Sequence, residues 1–333
     1  MVIFLEVEPW ERDYLAACCP TFWQPVFYHE EADRIALENI RQATILSVFI
    51  YSDLDKRLLR QLPDLRMIAT RSTGYDHIDM AFCRKQGIAV SNVPTYGANT
   101  VAEHTFALML ALSRKVVQAC NRTTRADFTL EGLRGFDLMG KTLGVIGTGR
   151  IGRHVIQIAK GFQMQVLAYD VLPDQAVSDL LGFQYTSLDA LLANADVITL
   201  HCPLGDENRQ MIGKAAFERM KKGVLLINTA RGGLINTDAL LWALDEGIVA
   251  GAGLDVMEEE EAIREERELL SKRFDVGKLQ AVIRNHVLLK HEQVIITPHI
   301  AFNSREAVER ILQTTVENIT KFFAGTPCNR VDL

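Results

Sequence analysis

The chain has 333 residues, 48% of them hydrophobic and 23% charged, with a formal net charge of −6. That length supports two domains with separate cores. The acidic balance argues against nucleic acid or an anionic membrane as the main partner, and no apolar run reaches the length of a membrane span. The opening Met1-Val2-Ile3-Phe4-Leu5-Glu6 lacks a basic flank and reads as a first strand rather than a secretory signal. The six cysteines, Cys18, Cys19, Cys83, Cys120, Cys202 and Cys328, match no zinc or CxxC spacing. They predict free thiols, a cytoplasmic location and no metal site.

Short apolar runs predict strands at Val2–Leu5, Ile45–Ile50, Met67–Thr70 and Ile88–Val93. A second series follows at Leu143–Ile146, Val166–Tyr169, Val197–Leu200, Val224–Asn228, Gly251–Val256 and Val294–Thr297. Helical patterns separate them, so the fold class is α/β with parallel sheets covered on both faces. The strands are too many for one open sheet, which predicts two doubly wound domains. Between the two series lies a helix over Thr100–Leu112, opened by the capping-box pair Thr100 and Glu103. It is apolar nearly all round, which predicts burial on several sides and a homodimer through the cofactor domains. The run Glu258–Glu261 leads into a charged helical stretch to Phe274, and another helical stretch covers Lys278–Leu289. A last helix, Glu306–Ala324, is stopped by Gly325 and is expected to return to the first domain. The expected domains are therefore 1–99, 100–302 for the cofactor, and a C-terminal helix in 303–333.

One turn carries the cofactor. Gly147-Thr148-Gly149-Arg150-Ile151-Gly152 follows an apolar strand and opens a helical pattern, and Asp170 ends the next strand 23 positions after Gly147. Strand, glycine turn, helix, strand and acid form a dinucleotide fingerprint. The glycines permit a tight turn, backbone approach to a pyrophosphate and close packing of helix on strand. The helix N-terminus favours phosphate. Asp170 can accept from ribose hydroxyls and repels a 2′-phosphate, so the predicted cofactor is NAD rather than NADP.

Two further residues sit just past predicted strand ends, where open α/β sheets place ligands. Arg231 carries a guanidinium suited to grip a carboxylate through two parallel hydrogen bonds. His299 carries an imidazole able to give a proton in one direction and take it in the other. His29, His77, His154, His286 and His291 read as structural, His104 as an internal hydrogen-bond partner, and His201 as a neighbour of the cofactor.

Four patterns surround the fingerprint: Arg71-Ser72-Thr73-Gly74-Tyr75-Asp76-His77-Ile78-Asp79; Leu191-Leu192 through Ala195-Asp196-Val197 to His201-Cys202-Pro203, with Asn208 beyond; Met220-Lys221-Lys222-Gly223 leading to Asn228-Thr229-Ala230-Arg231-Gly232-Gly233; and Ile296-Thr297-Pro298-His299-Ile300-Ala301. In this order they resemble the D-isomer-specific 2-hydroxyacid dehydrogenases over nearly the whole chain. The resemblance implies a Rossmann-type NAD-binding domain and a flavodoxin-like substrate domain. It implies Arg231 as the carboxylate clamp, His299 as acid/base and, five residues after Asp255, Glu260 as the partner of His299. It also implies carboxylate contacts from the Thr73 and Gly74 amides and a substrate pocket lined by Tyr96 and Phe302. Gly147, Thr148, Gly149, Arg150, Ile151, Gly152, Asp170, Cys202, Pro203, Thr229, Ala230 and Asp255 are implied cofactor contacts.

The 44 positions from Asp255 to His299 lack the short Glu-Pro loop of many members and resemble the lactate-type branch. No extra regulatory domain is expected after the last helix. Gly97-Ala98 replaces the Ser-Pro that commonly follows the pocket tyrosine. The implied substrate is a small 2-keto or 2-hydroxy monocarboxylic acid, with D-lactate and pyruvate foremost. Alternatives are a D-2-hydroxyisocaproate-type or aromatic 2-keto acid reductase and, remotely, a dinucleotide-sensing corepressor of the same fold.

Overall fold

The computed structural model describes residues 1–258 and 276–332, with side-chain detail absent for 276–282. The chain divides into two compact units, one of residues 1–97 and 303–333, the other of residues 98–302.

In the first unit five strands form one parallel sheet: β1 (Val2–Phe4), β2 (Val26–Phe27), β3 (Ile45–Val48), β4 (Met67–Thr70) and β5 (Ala89–Ser91), in the order β2-β1-β3-β4-β5. That is the flavodoxin-like order. Strands β1, β3, β4 and β5 are wholly buried, as their continuous apolar runs require of a sheet covered on both faces. The helix Arg305–Phe323 belongs to this unit, and beyond it the Val331 amide donates to the Val90 carbonyl at 2.9 Å.

The second unit holds seven parallel strands: β6 (Thr142–Ile146), β7 (Gln165–Tyr169), β8 (Gln184–Tyr185), β9 (Val197–Leu200), β10 (Val224–Asn228), β11 (Val249–Leu254) and β12 (Val294–Ile296). Their order, β12-β11-β10-β9-β6-β7-β8, is the Rossmann order with one extra strand at the β12 edge. The chain reverses direction across the sheet between β6 and β9, so the carboxyl ends of these two strands flank the expected ligand crevice. Both faces of this sheet carry a buried apolar cluster, one around Leu226 and Leu240, the other around Val145 and Leu225.

Helix Ala98–Ser113 differs from its sequence reading in two ways. It starts two residues early, so Thr100 lies inside it, and the Asn99 side chain donates to the Glu103 carboxylate at 3.2 Å. Its apolar surface is also covered by its own unit. Phe106, Met109 and Leu112 are buried, Leu108 and Leu112 lie against Gly253, and Ala107 is the exposed apolar residue. The glycines of β11 let the helix approach: a Cβ on Gly253 would stand 3.0 Å from the Leu108 Cβ. The helix therefore does not by itself require a second copy of the chain. Exposed apolar side chains are instead found on the segment after it, at Val116, Phe128, Leu130 and Met139.

Among the described residues no helix is long and apolar enough to cross a membrane, and no cluster of three potential metal-ligating side chains occurs. The six cysteines are unpaired thiols. Glu260 and the charged stretch to Phe274 lie outside the described residues. The helical stretch expected at Lys278–Leu289 is a helix over Val276–Leu289.

Candidate active site

At the carboxyl end of β6, Gly147 turns with φ +97°, and its amide donates to the Tyr169 carbonyl at 2.8 Å. A Cβ there would lie 2.7 Å from the Cys202 nitrogen, so the two strand ends at the switch point touch through this residue. A Cβ on Gly152 would lie 2.1 Å from the Gly147 carbonyl oxygen, which fixes how closely the helix Arg150–Gly161 packs on β6. Gly149 is different. It caps that helix with an ordinary φ of −65°, and no protein atom stands within 4 Å of where its Cβ would be. Nothing inside the protein asks for a glycine there. Its smallness leaves the backbone open to a group of the dinucleotide pyrophosphate kind.

Asp170 follows β7 and closes the turn. Its Oδ2 accepts from the Thr148 amide at 2.6 Å and the Thr148 hydroxyl at 2.9 Å, and its Oδ1 accepts from the Leu172 amide at 3.0 Å. Burial alone would raise its pKa, but the hydrogen bonds from Leu172 and Thr148 hold the carboxyl below the usual range. One cation lies nearby that sequence reasoning missed. Arg153 donates to the Thr148 carbonyl at 3.0 Å and to Asp174 at 3.1 Å, so an acid neutralises it.

Beyond β9, His201 anchors its amide to the Ile146 carbonyl at 2.7 Å and pairs its Nε2 with the Thr199 hydroxyl at 2.8 Å. Its Nδ1 is buried without a protein partner, although the residue as a whole keeps some exposure. Burial pushes the imidazolium pKa down to about 3, so the ring is neutral. An orphaned buried nitrogen at the switch point fits a bound polar group there. Cys202 is half-buried, which raises its thiol pKa. Asn208 shapes the loop after Pro203 by donating to the Pro203 carbonyl and accepting from the Gly205 amide.

Three neighbouring strand ends carry the polar chemistry. After β10, the fully buried Asn228 accepts from the Ala230 amide at 3.0 Å and donates to the Arg231 carbonyl at 2.9 Å. This clamps the turn that presents the half-buried Arg231. Gly232 follows because a Cβ there would collide with the Met257 carbonyl at 1.9 Å. After β11, the Asp255 amide donates to the Asn228 carbonyl, and the Asp255 carbonyl accepts from the His299 amide at 3.0 Å. His299 has φ +56°, a left-handed conformation unusual for a residue with a side chain. Such backbone costs on the order of 1 kcal/mol and persists where its surroundings hold it.

The holder is Asp255. Its carboxylate accepts from the Thr297 hydroxyl at 2.5 Å and from the Ile300 and Ala301 amides at 2.9 and 2.8 Å. His104 Nε2 stands 3.5 Å away. Burial alone would raise the Asp255 pKa, but hydrogen bonds from His104, Thr297, Ala301 and Ile300 hold it below the usual range. The resemblance implies a place beside the cofactor for Asp255, and its carboxylate is bonded to the turn that carries His299.

Of the acidic run, Glu258 is described. Its carboxylate accepts from the Thr237 amide and hydroxyl at 3.1 and 2.9 Å and from Gln210 at 2.5 Å. In the first unit, the Thr73 hydroxyl donates to the Val93 carbonyl, Asn92 donates to the Thr73 carbonyl, and the Ser72 hydroxyl donates to the Gly74 carbonyl. The loop after β4 is thus tied down through its oxygens. Tyr96, half-buried, accepts at its carbonyl from Arg310. Phe302, also half-buried, ends the second unit.

The model of the D-isomer specific 2-hydroxyacid dehydrogenase NAD binding domain matches residues 106–301. A D-lactate dehydrogenase of Escherichia coli is 39% identical over 286 residues, 84% of this chain and 84% of the relative. An aromatic 2-oxoacid reductase of Clostridium sporogenes is 38% identical over 289 residues, 85% of this chain and 84% of the relative. The crystal structure of D-lactate dehydrogenase from Aquifex aeolicus, complexed with NAD and lactic acid, superposes with a TM-score of 0.86 at 37% identity, over 98% of this chain and 96% of that one. The chain belongs to the D-isomer specific 2-hydroxyacid dehydrogenase family. It is an NAD-dependent oxidoreductase, and the second unit, which holds residues 106–301, contains its NAD-binding domain.

Proposed function

We propose that this enzyme interconverts D-lactate and pyruvate, with Arg231 binding the substrate carboxylate and His299 moving the proton at the C2 oxygen. When bound, reduced NAD supplies the hydride to C2. The carrying observation is the lacing of Asn228, Asp255 and His299 through hydrogen bonds, which ties the Arg231 turn after β10 and the His299 turn after β12 to the end of β11 between them. A guanidinium and an imidazole carried on turns tied to one strand end suit a 2-keto acid, whose carboxylate and carbonyl are adjacent. In reduction His299 gives its proton to the oxygen as the C–O double bond becomes single; in oxidation it takes the proton back.

Glu260 is proposed as the carboxylate that steadies the His299 imidazolium. Glu258 is a poor candidate, being engaged by Thr237 and Gln210. Thr73, Gly74, Tyr96 and Phe302 are proposed substrate contacts. The proposed cofactor contacts are the 147–152 turn, Asp170, Cys202, Pro203, Thr229, Ala230 and Asp255. Two copies are proposed to associate through the second unit, where exposed Phe128, Leu130 and Met139 form apolar surface. An aromatic 2-keto acid is the second reading, favoured by the likeness to the Clostridium reductase. A panel of 2-keto acids with NADH, followed by loss of reduced-nicotinamide absorbance, tests the choice. Pyruvate should give the highest kcat/KM; a clear preference for phenylpyruvate would replace the first reading with the second.

A further inference from the structure

Helix Ala98–Ser113 places two consecutive polar side chains toward two strand ends. His104 Nε2 lies 3.0 Å from the Thr297 hydroxyl, and the Thr105 hydroxyl lies 3.0 Å from that of Thr229. Thr297 and Thr229 stand two residues before His299 and Arg231, respectively. One helix therefore touches both turns that carry the proposed substrate chemistry.

The His104 arm has a defined direction. The Thr297 hydroxyl donates its single proton to Asp255 Oδ1 at 2.5 Å, so its oxygen accepts from His104, and Nε2 carries the hydrogen. The same nitrogen is 3.5 Å from Asp255 Oδ1. Asp255 is 1% exposed, and its carboxylate reaches the two amides that follow His299. A buried carboxylate that loses one donor shifts toward those that remain, and these belong to the His299 turn. We propose that His104 is a positioning residue for His299, acting through the Thr297 hydroxyl and the Asp255 carboxylate. This rests on the reading of His299 as the acid/base. It gives a reason for an imidazole on a helix whose buried side chains are mostly apolar, because the network needs one donor at this place.

The test compares His104→Leu, His104→Gln, His299→Gln and the double variant His104→Leu/His299→Gln, using the 2-keto acid that the enzyme turns over fastest. His104→Leu should lower kcat about 10- to 100-fold, the scale of a slightly misplaced catalytic group. The KM for the keto acid and the Kd for NADH, read by nicotinamide fluorescence, should stay within about twofold, because a positioning defect acts on the chemical step. His104→Gln keeps an N–H donor at similar reach and should restore most of the lost turnover. In the His299→Gln background the leucine substitution should add almost nothing, because the group it positions is gone. Thr297→Val removes the middle hydroxyl with little change of shape and should repeat the loss, which covers the case in which leucine at 104 does not fold. Equal losses from His104→Leu in both backgrounds would overturn the inference, as would glutamine no better than leucine. If His299→Gln is crippled while His104→Leu is not, the inference alone falls. If His299→Gln turns over normally, the acid/base reading falls and takes the inference with it.

Discussion

Gly149 and Gly152 lie three residues apart in one turn, yet alanine should do opposite things at the two. At Gly152 a Cβ would sit 2.1 Å from a backbone oxygen that cannot rotate away. The helix must shift off β6, and overpacking of this kind costs about 1–3 kcal/mol. At roughly 2–4 °C per kcal/mol for a domain of this size, the melting temperature should fall by several degrees. At Gly149 the Cβ meets no protein atom within 4 Å, and the backbone angles are ordinary. Alanine is a poorer helix cap than glycine, but it also restricts the unfolded chain, and each effect is below about 1 kcal/mol. The apoprotein should therefore melt within about 3 °C of the parent. Its NADH affinity should fall by about tenfold or more, because the methyl group stands where the cofactor must approach. Thermal melting of both apoproteins and NADH titration by fluorescence measure these two quantities separately. Gly149→Ala binding NADH like the parent would refute the reasoning, and so would Gly152→Ala melting like it.

Three other outcomes are expected. Asp170→Ala should narrow the preference for NADH over NADPH by about tenfold or more, read as the ratio of kcat/KM values, because the oriented carboxylate is the repulsive element; an unchanged ratio would place discrimination elsewhere. Arg231→Lys keeps the charge and loses the planar fork, so KM should rise and kcat fall together, with kcat/KM down by roughly 10- to 100-fold; an unchanged KM would move the carboxylate site. His201 titrates near 3 in the fold against 6.5 when unperturbed, so the unfolded chain binds a proton that the folded chain refuses between those values. Its stabilising effect is present above pH 6.5 and is lost as pH falls, by up to about 2 kcal/mol at pH 5. Urea unfolding at pH 7 and pH 5 should show a smaller loss in His201→Asn than in the parent, and equal losses would contradict the assignment.

Strands β4, β9 and β10 were legible to the residue, because each is a continuous apolar run buried on both faces. The two-residue strands β2 and β8 were not, because two residues carry no periodicity to detect. The true start of helix Ala98–Ser113 was masked by an attractive Thr-x-x-Glu pattern. That helix also looked too apolar for one chain, because the sequence does not show that the glycines of β11 let it sink onto the sheet. The positions of Arg231 and His299 past strand ends could be read directly. Their support could not: His104 and Thr297 are 193 residues apart, and Asp255 and Thr297 are 42 apart, so hydrogen bonds between them exist only once the sheet has formed. Asn228 left one signal, a buried amide ending a strand of four aliphatic residues.

The account turns on one proton at one residue, and the direct measurement is turnover of His299→Gln beside its NADH affinity. Glutamine keeps hydrogen-bonding capacity at position 299 but cannot exchange a proton near neutral pH. Turnover with the preferred 2-keto acid should fall by about 10²- to 10⁴-fold, the range for losing a general acid–base group, while the NADH Kd stays within about twofold. A variant that reduces the keto acid at the parent rate would contradict the account, because the proton would then have to come from another group.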